Sequence, residues 1–262
     1  MEQLPPVLEN TTETSKPAMS LAGRLFNVFA TPGEVFEHIK RAPVSAGNWI
    51  APALLTIVVS WVGVWLIFSQ DSIQQQVKDM ANQAIDKQVE KGKLTQETAE
   101  ERRPMAEKAT GVMVRVGAYA GPVFIALVVP FWGGLIVWLV GTNVFKADYS
   151  YLKGVEVAGI CGMVNLLDAV VRPLLILITG SLFASPSLAL LVPQFDPQNS
   201  VHGLLAAVNV MTFWALALRA TGLSRLTGCG FGKAAAWIFG IWAGQTGFFI
   251  GLGFLFRKAF GQ

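Results

Sequence analysis

The sequence predicts an all-α fold in which a bundle of helices crosses a membrane. Hydrophobic residues make up 53% of the 262 residues, charged residues only 14%, and the mean hydropathy is +0.50. Soluble domains carry about 25% charged residues, so this composition favours a membrane protein. The apolar residues are also gathered into long runs, and a helix needs about 20 of them to cross the hydrocarbon core. We therefore expect an integral membrane protein.

Five apolar runs have the length of a membrane span: residues 49–68, 118–140, 157–178, 201–218 and 234–256. The fourth is the weakest, because its uncharged core is short and contains His202 and Asn209. The segment 181–192 is too short to span and contains Pro186, which favours an interfacial or re-entrant position. The pattern therefore predicts five transmembrane helices.

The segments before the first span divide into a tail and an amphipathic stretch. Residues 1–19 are polar and rich in Pro, Thr and Glu, which predicts a disordered tail, so that a single membrane domain occupies residues 20–262. Residues 20–41 carry an apolar stripe that can lie along the bilayer surface or pack on the bundle. Within this stretch, Thr31, Pro32 and Glu34 are typical of a second helix start capped by the Thr31 side chain.

Between the first two spans, residues 71–108 mix charged residues and Gln with apolar residues at helical spacing. Gly92 is a suitable helix end, and Pro104 is expected to bend or break the second helix. This pattern predicts a polar αα-hairpin outside the membrane. Its charged surface is either simply solvated or binds a partner.

Polar side chains interrupt the third span at Asn165, Asp168 and Arg172. An Asp or an Arg at the centre of a membrane helix costs about 2.5–3.5 kcal/mol, so each must be hidden or paired. Asp168 and Arg172 are one helical turn apart and can pair. Two interpretations stay open: a structural ion pair, or a polar cavity for a lipid headgroup, an ion or a proton. Asn209 and Gln245 are further candidates for this intramembrane polar site.

The fifth span carries small residues at intervals of three or four, which place them on one face of a helix. They are Ala236, Gly240, Gly244, Gly247 and Gly251. Small residues let a neighbouring backbone approach closely, and this is how membrane helices gain packing contacts. The pattern predicts a helix-packing seam.

Motifs for catalysis or cofactor binding are missing from the sequence. The two histidines form no HExxH motif, and Cys161 and Cys229 lack the spacing of metal ligands and are expected to be free thiols. The run from Gly228 to Lys233 lacks the first Gly of a phosphate loop and the Ser or Thr that follows its Lys. The net charge of +3 forms no basic stripe. We expect no enzymatic activity, no cofactor, no metal and no nucleic-acid partner.

Two short motifs resemble a known family. Residues 29–40, FATPGEVFEHIK, followed by Pro43 and a span from Trp49, resemble the start of bacterial Yip-domain (Ypt-interacting protein) membrane proteins. Residues 149–155, YSYLKGV, are similar to the approach to the third span of that family. The family often has a Pro early in this span, where the present chain has Gly162 and Met163.

The resemblance implies a multi-pass scaffold of the bacterial cytoplasmic membrane with a cytoplasmic amino terminus. Eukaryotic relatives act in vesicle traffic with small GTPases, a role that we do not carry over to this chain. Membrane lipids and other membrane proteins, or a second copy of the chain, are the expected partners. The alternative is a small transporter or channel that uses Asn165, Asp168 and Arg172 to line its path.

Overall fold

The computed structural model describes residues 19–193, 195–196 and 199–260. The predicted tail, residues 1–19, lies outside the described residues except for Met19. The described residues are helical, and their only β-pairing is an isolated bridge between Ser187 and Asn209. The α-helices are α1 (Leu21–Ala30), α2 (Pro32–Arg41), α3 (Gly47–Phe68), α4 (Asp71–Glu90), α5 (Gln96–Leu139), α6 (Tyr151–Thr179), α7 (Ser200–Ala207), α8 (Val210–Thr227) and α9 (Phe231–Phe260). A π-helical turn (Val140–Val144) extends α5, and a 3₁₀ turn (Leu188–Leu191) precedes α7.

Four helices in the described part of the chain are long and apolar enough to cross a membrane. They are Gly47–Phe68, Gln96–Val144, Tyr151–Thr179 and Phe231–Phe256. The predicted runs 49–68, 118–140, 157–178 and 234–256 fall within them. The all-α membrane fold is therefore confirmed at this level.

The prediction of one continuous helix over residues 201–218 is wrong. The helix ends at Ala207 and a new one, α8, starts at Val210 and extends to Thr227. The Asn209 side chain caps α8, accepting from the backbone N–H of Met211 (2.8 Å) and Thr212 (3.2 Å). The backbone around Asn209 also pairs with the segment near Ser187. These bonds replace the helical bonds that a continuous span would make.

The prediction for Pro104 was that it bends or breaks the second polar helix, and the predicted break does not occur. Helix α5 continues through Pro104, Pro122 and Pro130 for 44 residues, about 66 Å at 1.5 Å per residue. Pro104 is exposed, so water can hydrate the carbonyl that it leaves without a helical partner. The first half of α5 packs on α4, where Arg103 donates to Asp86 (2.7 Å).

The amphipathic stretch 20–41 forms two helices that pack on the bundle. Val28 of α1 and Phe36 of α2 are fully buried in the main hydrophobic core, and α2 lies mainly against α8. Pro32 occupies the start of α2 as predicted, but the Thr31 side chain makes no capping hydrogen bond. Thr31 also ends α1, where its N–H donates to the carbonyl of Asn27 (2.7 Å), which leaves it in a conformation unsuited to capping.

Helix α6 is the centre of the bundle and packs on α3, α5 and α8. One end of the bundle, here called the amino end, holds α1, α2 and the termini of α3, α6 and α8 that lie beside them. The opposite end holds α4, the first half of α5 and the segment between α6 and α8. There, the side-chain amide of Gln76 bonds the backbone on both sides of the turn that follows Gly180.

Candidate functional site

The predicted ion pair of the third span forms within α6. The Arg172 guanidinium donates to Asp168 Oδ2 through Nη2 (2.9 Å) and Nε (3.2 Å). The Arg172 side chain is 47% exposed and the Asp168 side chain 23% exposed, so the pair lies towards the outside of the bundle. Asn165 lies beside a cavity of about 20 Å³ that Pro52 of α3 also lines. The Asp168–Arg172 pair is thus intrahelical, as its spacing predicted.

The other two predicted polar residues lie elsewhere. Asn209 is used as the cap of α8. Gln245 lines a separate cavity between α5, α8 and α9. In the described part of the chain, no hydrogen bond or ion pair joins Asp168 to Asn209 or Gln245. Asn209 and Gln245 therefore have surroundings different from those of the Asp168–Arg172 pair.

The predicted seam of small residues lies on an open face of α9. A methyl group added at Gly240, Gly244, Gly247 or Gly251 would have no neighbour within 4 Å. At the start of this face, a surface groove of about 450 Å³ is lined by Ala236, Trp237, Gly240 and Ile241. These positions lie within the candidate span Phe231–Phe256 and are not covered by other described residues.

A buried charged pair that the sequence interpretation missed lies in the first turns of α6. Lys153 and Glu156 are 9% and 1% exposed, and Lys153 Nζ lies 2.8 Å from Glu156 Oε2. Lys153 Nζ also donates to the carbonyls of Ile39 and Ala42 at the end of α2, at 2.6 Å each. The ammonium thus bonds the negative end of a helix dipole.

Glu156 binds the start of α3 in the complementary way. Its Oε1 accepts from the backbone N–H of Ser45 (2.8 Å) and from Asn48 Nδ2 (2.6 Å). A carboxylate is favoured at a helix amino terminus, where unpaired N–H groups concentrate positive charge. The pair therefore fixes the ends of α2 and α3 against α6. Its spacing of three residues was a usable signal, but it lay in a segment assigned to a connector before the span.

His38 of α2 lies near this pair, close to the positive charges of Arg24 and Lys153. His38 Nε2 accepts from the backbone N–H of Met19 (3.0 Å). Burial, followed by the positive charges of Arg24 and Lys153, lowers the pKa of His38 below its usual value. The ring is therefore held neutral and acts as an acceptor that fastens the chain at the start of α1.

A second missed residue is Arg219, on the face of α8 that packs towards α5. Its guanidinium Cζ would lie 3.3 Å from a methyl group added at Gly133, so Gly133 makes room for it. Its Nε is buried without a hydrogen-bond partner. The sequence interpretation ended the fourth span at residue 218, which made Arg219 a connector charge. Because α8 continues to Thr227, Arg219 instead lies within this helix, half-buried, with its Nε fully covered.

Comparison with known proteins assigns the family. The family model described as the Yip1 domain matches residues 26–253, which include all the helices from α2 to α8 and most of α9. The chain belongs to the Yip1 domain family. It is also 24% identical over 229 residues to "Membrane protein YknW" of Bacillus subtilis (strain 168), a match that covers 87% of this chain and 85% of that protein. No solved structure matches the chain.

In this Yip1-domain protein, the residues that carried the resemblance have packing and hydrogen-bonding roles. Phe36 is fully buried between the amino-end helices and α8. The hydroxyl of Tyr149 donates to the carbonyl of Val137 (2.7 Å), and that of Tyr151 donates to the carbonyl of Phe131 (3.0 Å). Both bonds attach the start of α6 to α5. The residues of these two stretches therefore hold α1, α2 and the start of α6 in place.

Proposed function

We propose that this Yip1-domain protein is a non-enzymatic membrane scaffold that binds other membrane helices through the glycine face of α9. The observation that carries the proposal is the open seam from Gly240 to Gly251. Helices of this chain that pack together use glycines at their contacts, as Gly133 and Gly134 of α5 do against α6. The α9 glycines, in contrast, have no partner helix within the described chain.

An exposed face of a membrane helix is ordinarily covered by lipid. The faces of α9 differ, however, in the size of their side chains. Phe249, on the opposite face of α9, carries a large exposed side chain. Five small residues on one face instead leave a channel that a second helix backbone fills better than lipid chains. A second copy of the chain is the simplest occupant to test.

Association should weaken when the seam is filled. We expect Gly244→Ile to lower the association constant in lipid vesicles by about tenfold, because the branched side chain prevents contact between the two backbones. Energy transfer between donor- and acceptor-labelled copies measures this. Gly121→Ile is the matched control, because Gly121 also faces open space on a membrane helix. Equal association of both variants and the wild type would contradict the proposal for self-association.

A transport function makes a different prediction for the same protein. The scaffold proposal expects no flux of ions or small solutes into liposomes that contain this protein alone. Reproducible flux that is lost on Asp168→Asn would overturn the proposal in favour of a transporter. The exposure of the Asp168–Arg172 pair favours the scaffold.

We further propose five membrane passes, with α8 as the fourth, and a cytoplasmic amino end. Five passes place α3 and α9 in the same direction. At the opposite end the connector 179–201 has no Lys or Arg, whereas residues 71–108 carry seven, so the charge bias does not decide the orientation and cysteine labelling must test it. Cys229 follows α8 at the amino end, whereas Cys161 is buried in α6. We expect a membrane-impermeant maleimide to label Cys229 only from the cytoplasmic side, and labelling only from the outside would invert the topology. Cys229→Ser provides the control for background labelling.

A further inference from the structure

We infer that Arg219 and Gln245 form a binding site for a small inorganic anion inside the bundle. The site is a cavity of about 40 Å³ where α5, α8 and α9 approach one another. Arg219 enters it from α8, Gln245 and Trp242 from α9, and Trp132 and Gly133 from α5. Because Gly133 belongs to one candidate span and Gln245 to another, the cavity lies at the depth of the membrane.

The charges of the bundle do not balance at Arg219. Residues 47–68, 109–147 and 197–262 contain no Asp or Glu, so neither α3, the apolar half of α5, α8 nor α9 supplies a carboxylate. Within α6, Glu156 is paired with Lys153 and Asp168 with Arg172. In the described part of the chain, Arg219 makes no ion pair and no hydrogen bond, and its Nε is buried. Because the described residues supply no counter-charge to this guanidinium, a bound anion is the ligand that we infer for it.

The chemistry and size of the cavity select the ligand. The guanidinium offers only donors, and the Gln245 amide, which makes no hydrogen bond within the described chain, can add another. About 40 Å³ accommodates a few waters or one monatomic anion, and it is too small for a lipid headgroup. Chloride is therefore the probe of choice. The site is independent of the proposed seam, because Gln245 and Trp242 lie on the opposite face of α9 from Gly240 and Gly244.

The test uses the full chain in nanodiscs of zwitterionic lipid, so that no anionic headgroup competes. We expect chloride, replacing gluconate at constant ionic strength, to raise the unfolding temperature in a saturable manner, because a ligand of the folded state stabilises it. Calorimetric titration with sodium chloride gives the affinity directly. Arg219→Gln should abolish the effect, and Arg219→Lys should retain it in weakened form. Arg41→Gln, which removes an exposed guanidinium outside the candidate spans, is the control and should bind as the wild type does.

Several outcomes overturn the inference. One is a wild-type protein that does not respond to chloride, which is expected if the cavity holds only water or receives a carboxylate from a partner helix. Another is an Arg219→Gln variant that still responds to chloride. If Arg219→Gln does not fold, Gln245→Leu decides the question, because it leaves the charge in place. Its affinity for chloride should fall by at least about tenfold, the equivalent of one hydrogen bond to a charged group. An unchanged affinity would reject the site.

Discussion

Replacing Glu156 by Ala should remove most of the folded protein. The substitution leaves the Lys153 ammonium buried without its counter-charge and takes the acceptor from Ser45 N and Asn48 Nδ2. Breaking a buried pair in this way costs about 3–5 kcal/mol, against a total stability of about 5–15 kcal/mol for a typical domain. The yield of monodisperse protein in detergent and its thermal unfolding measure the effect.

Two variants separate the charge effect from the loss of contacts. Glu37→Ala removes a half-exposed carboxylate from its pair with Arg41, whose side chain is 78% exposed, and should change stability by less than about 1 kcal/mol. The double variant Lys153→Met, Glu156→Leu removes both charges and should recover part of the stability lost in Glu156→Ala. A Glu156→Ala protein as stable as the Glu37→Ala protein would show that the network does not hold the amino end together.

Replacing Gly159 by Ala should separate α3 from α6. An added methyl group would lie 2.6 Å from Trp49 Cα and 2.8 Å from the carbonyl oxygen of Asn48. Both are backbone atoms, so a rotamer change cannot relieve the overlap and the helices must move apart. Overpacking of this kind costs about 1–3 kcal/mol or more, which thermal unfolding in detergent resolves.

Gly162→Ala is the matched control, since it adds the same methyl group one turn later on α6. Its nearest neighbour would be Pro52 Cβ at 3.4 Å, an ordinary contact. We expect this variant to retain wild-type stability within about 0.5 kcal/mol, because the change is small and unstrained. If the two alanine variants unfold at the same temperature, the contact at Gly159 is looser than the structure indicates.

The apolar spans could be predicted because their signal is local. Length and hydropathy alone located α3, the inner half of α5, α6 and α9. The break at Asn209 could not be predicted in the same way, because it depends on pairing with Ser187, which lies 22 residues earlier in the sequence. At Pro104 the local sequence predicts a break, but the helix continues there. Water can hydrate the carbonyl that Pro104 leaves unpaired, and bonds to α4 hold this part of α5 in place.

The polar residues could likewise be predicted where the signal was local. Asp168 and Arg172 pair as their spacing predicted. Lys153 and Arg219 were missed because each lies just outside a predicted span but inside the observed helix. The ends of predicted helices are their least certain part, and here the buried charges lie at those ends. The orientation of the α9 seam required the structure, because a glycine stripe alone does not show whether its partner lies within the chain.

The unbroken length of α5 has a mechanical consequence. A helix about 66 Å long exceeds the thickness of the hydrocarbon core, about 30 Å, so roughly half of it stands in water beside α4. No loop separates this outer half from the inner half that packs on α6. A displacement of the outer half is therefore passed to the inner half through one continuous helix, and Pro104, Pro122 and Pro130 are the points at which that helix can bend.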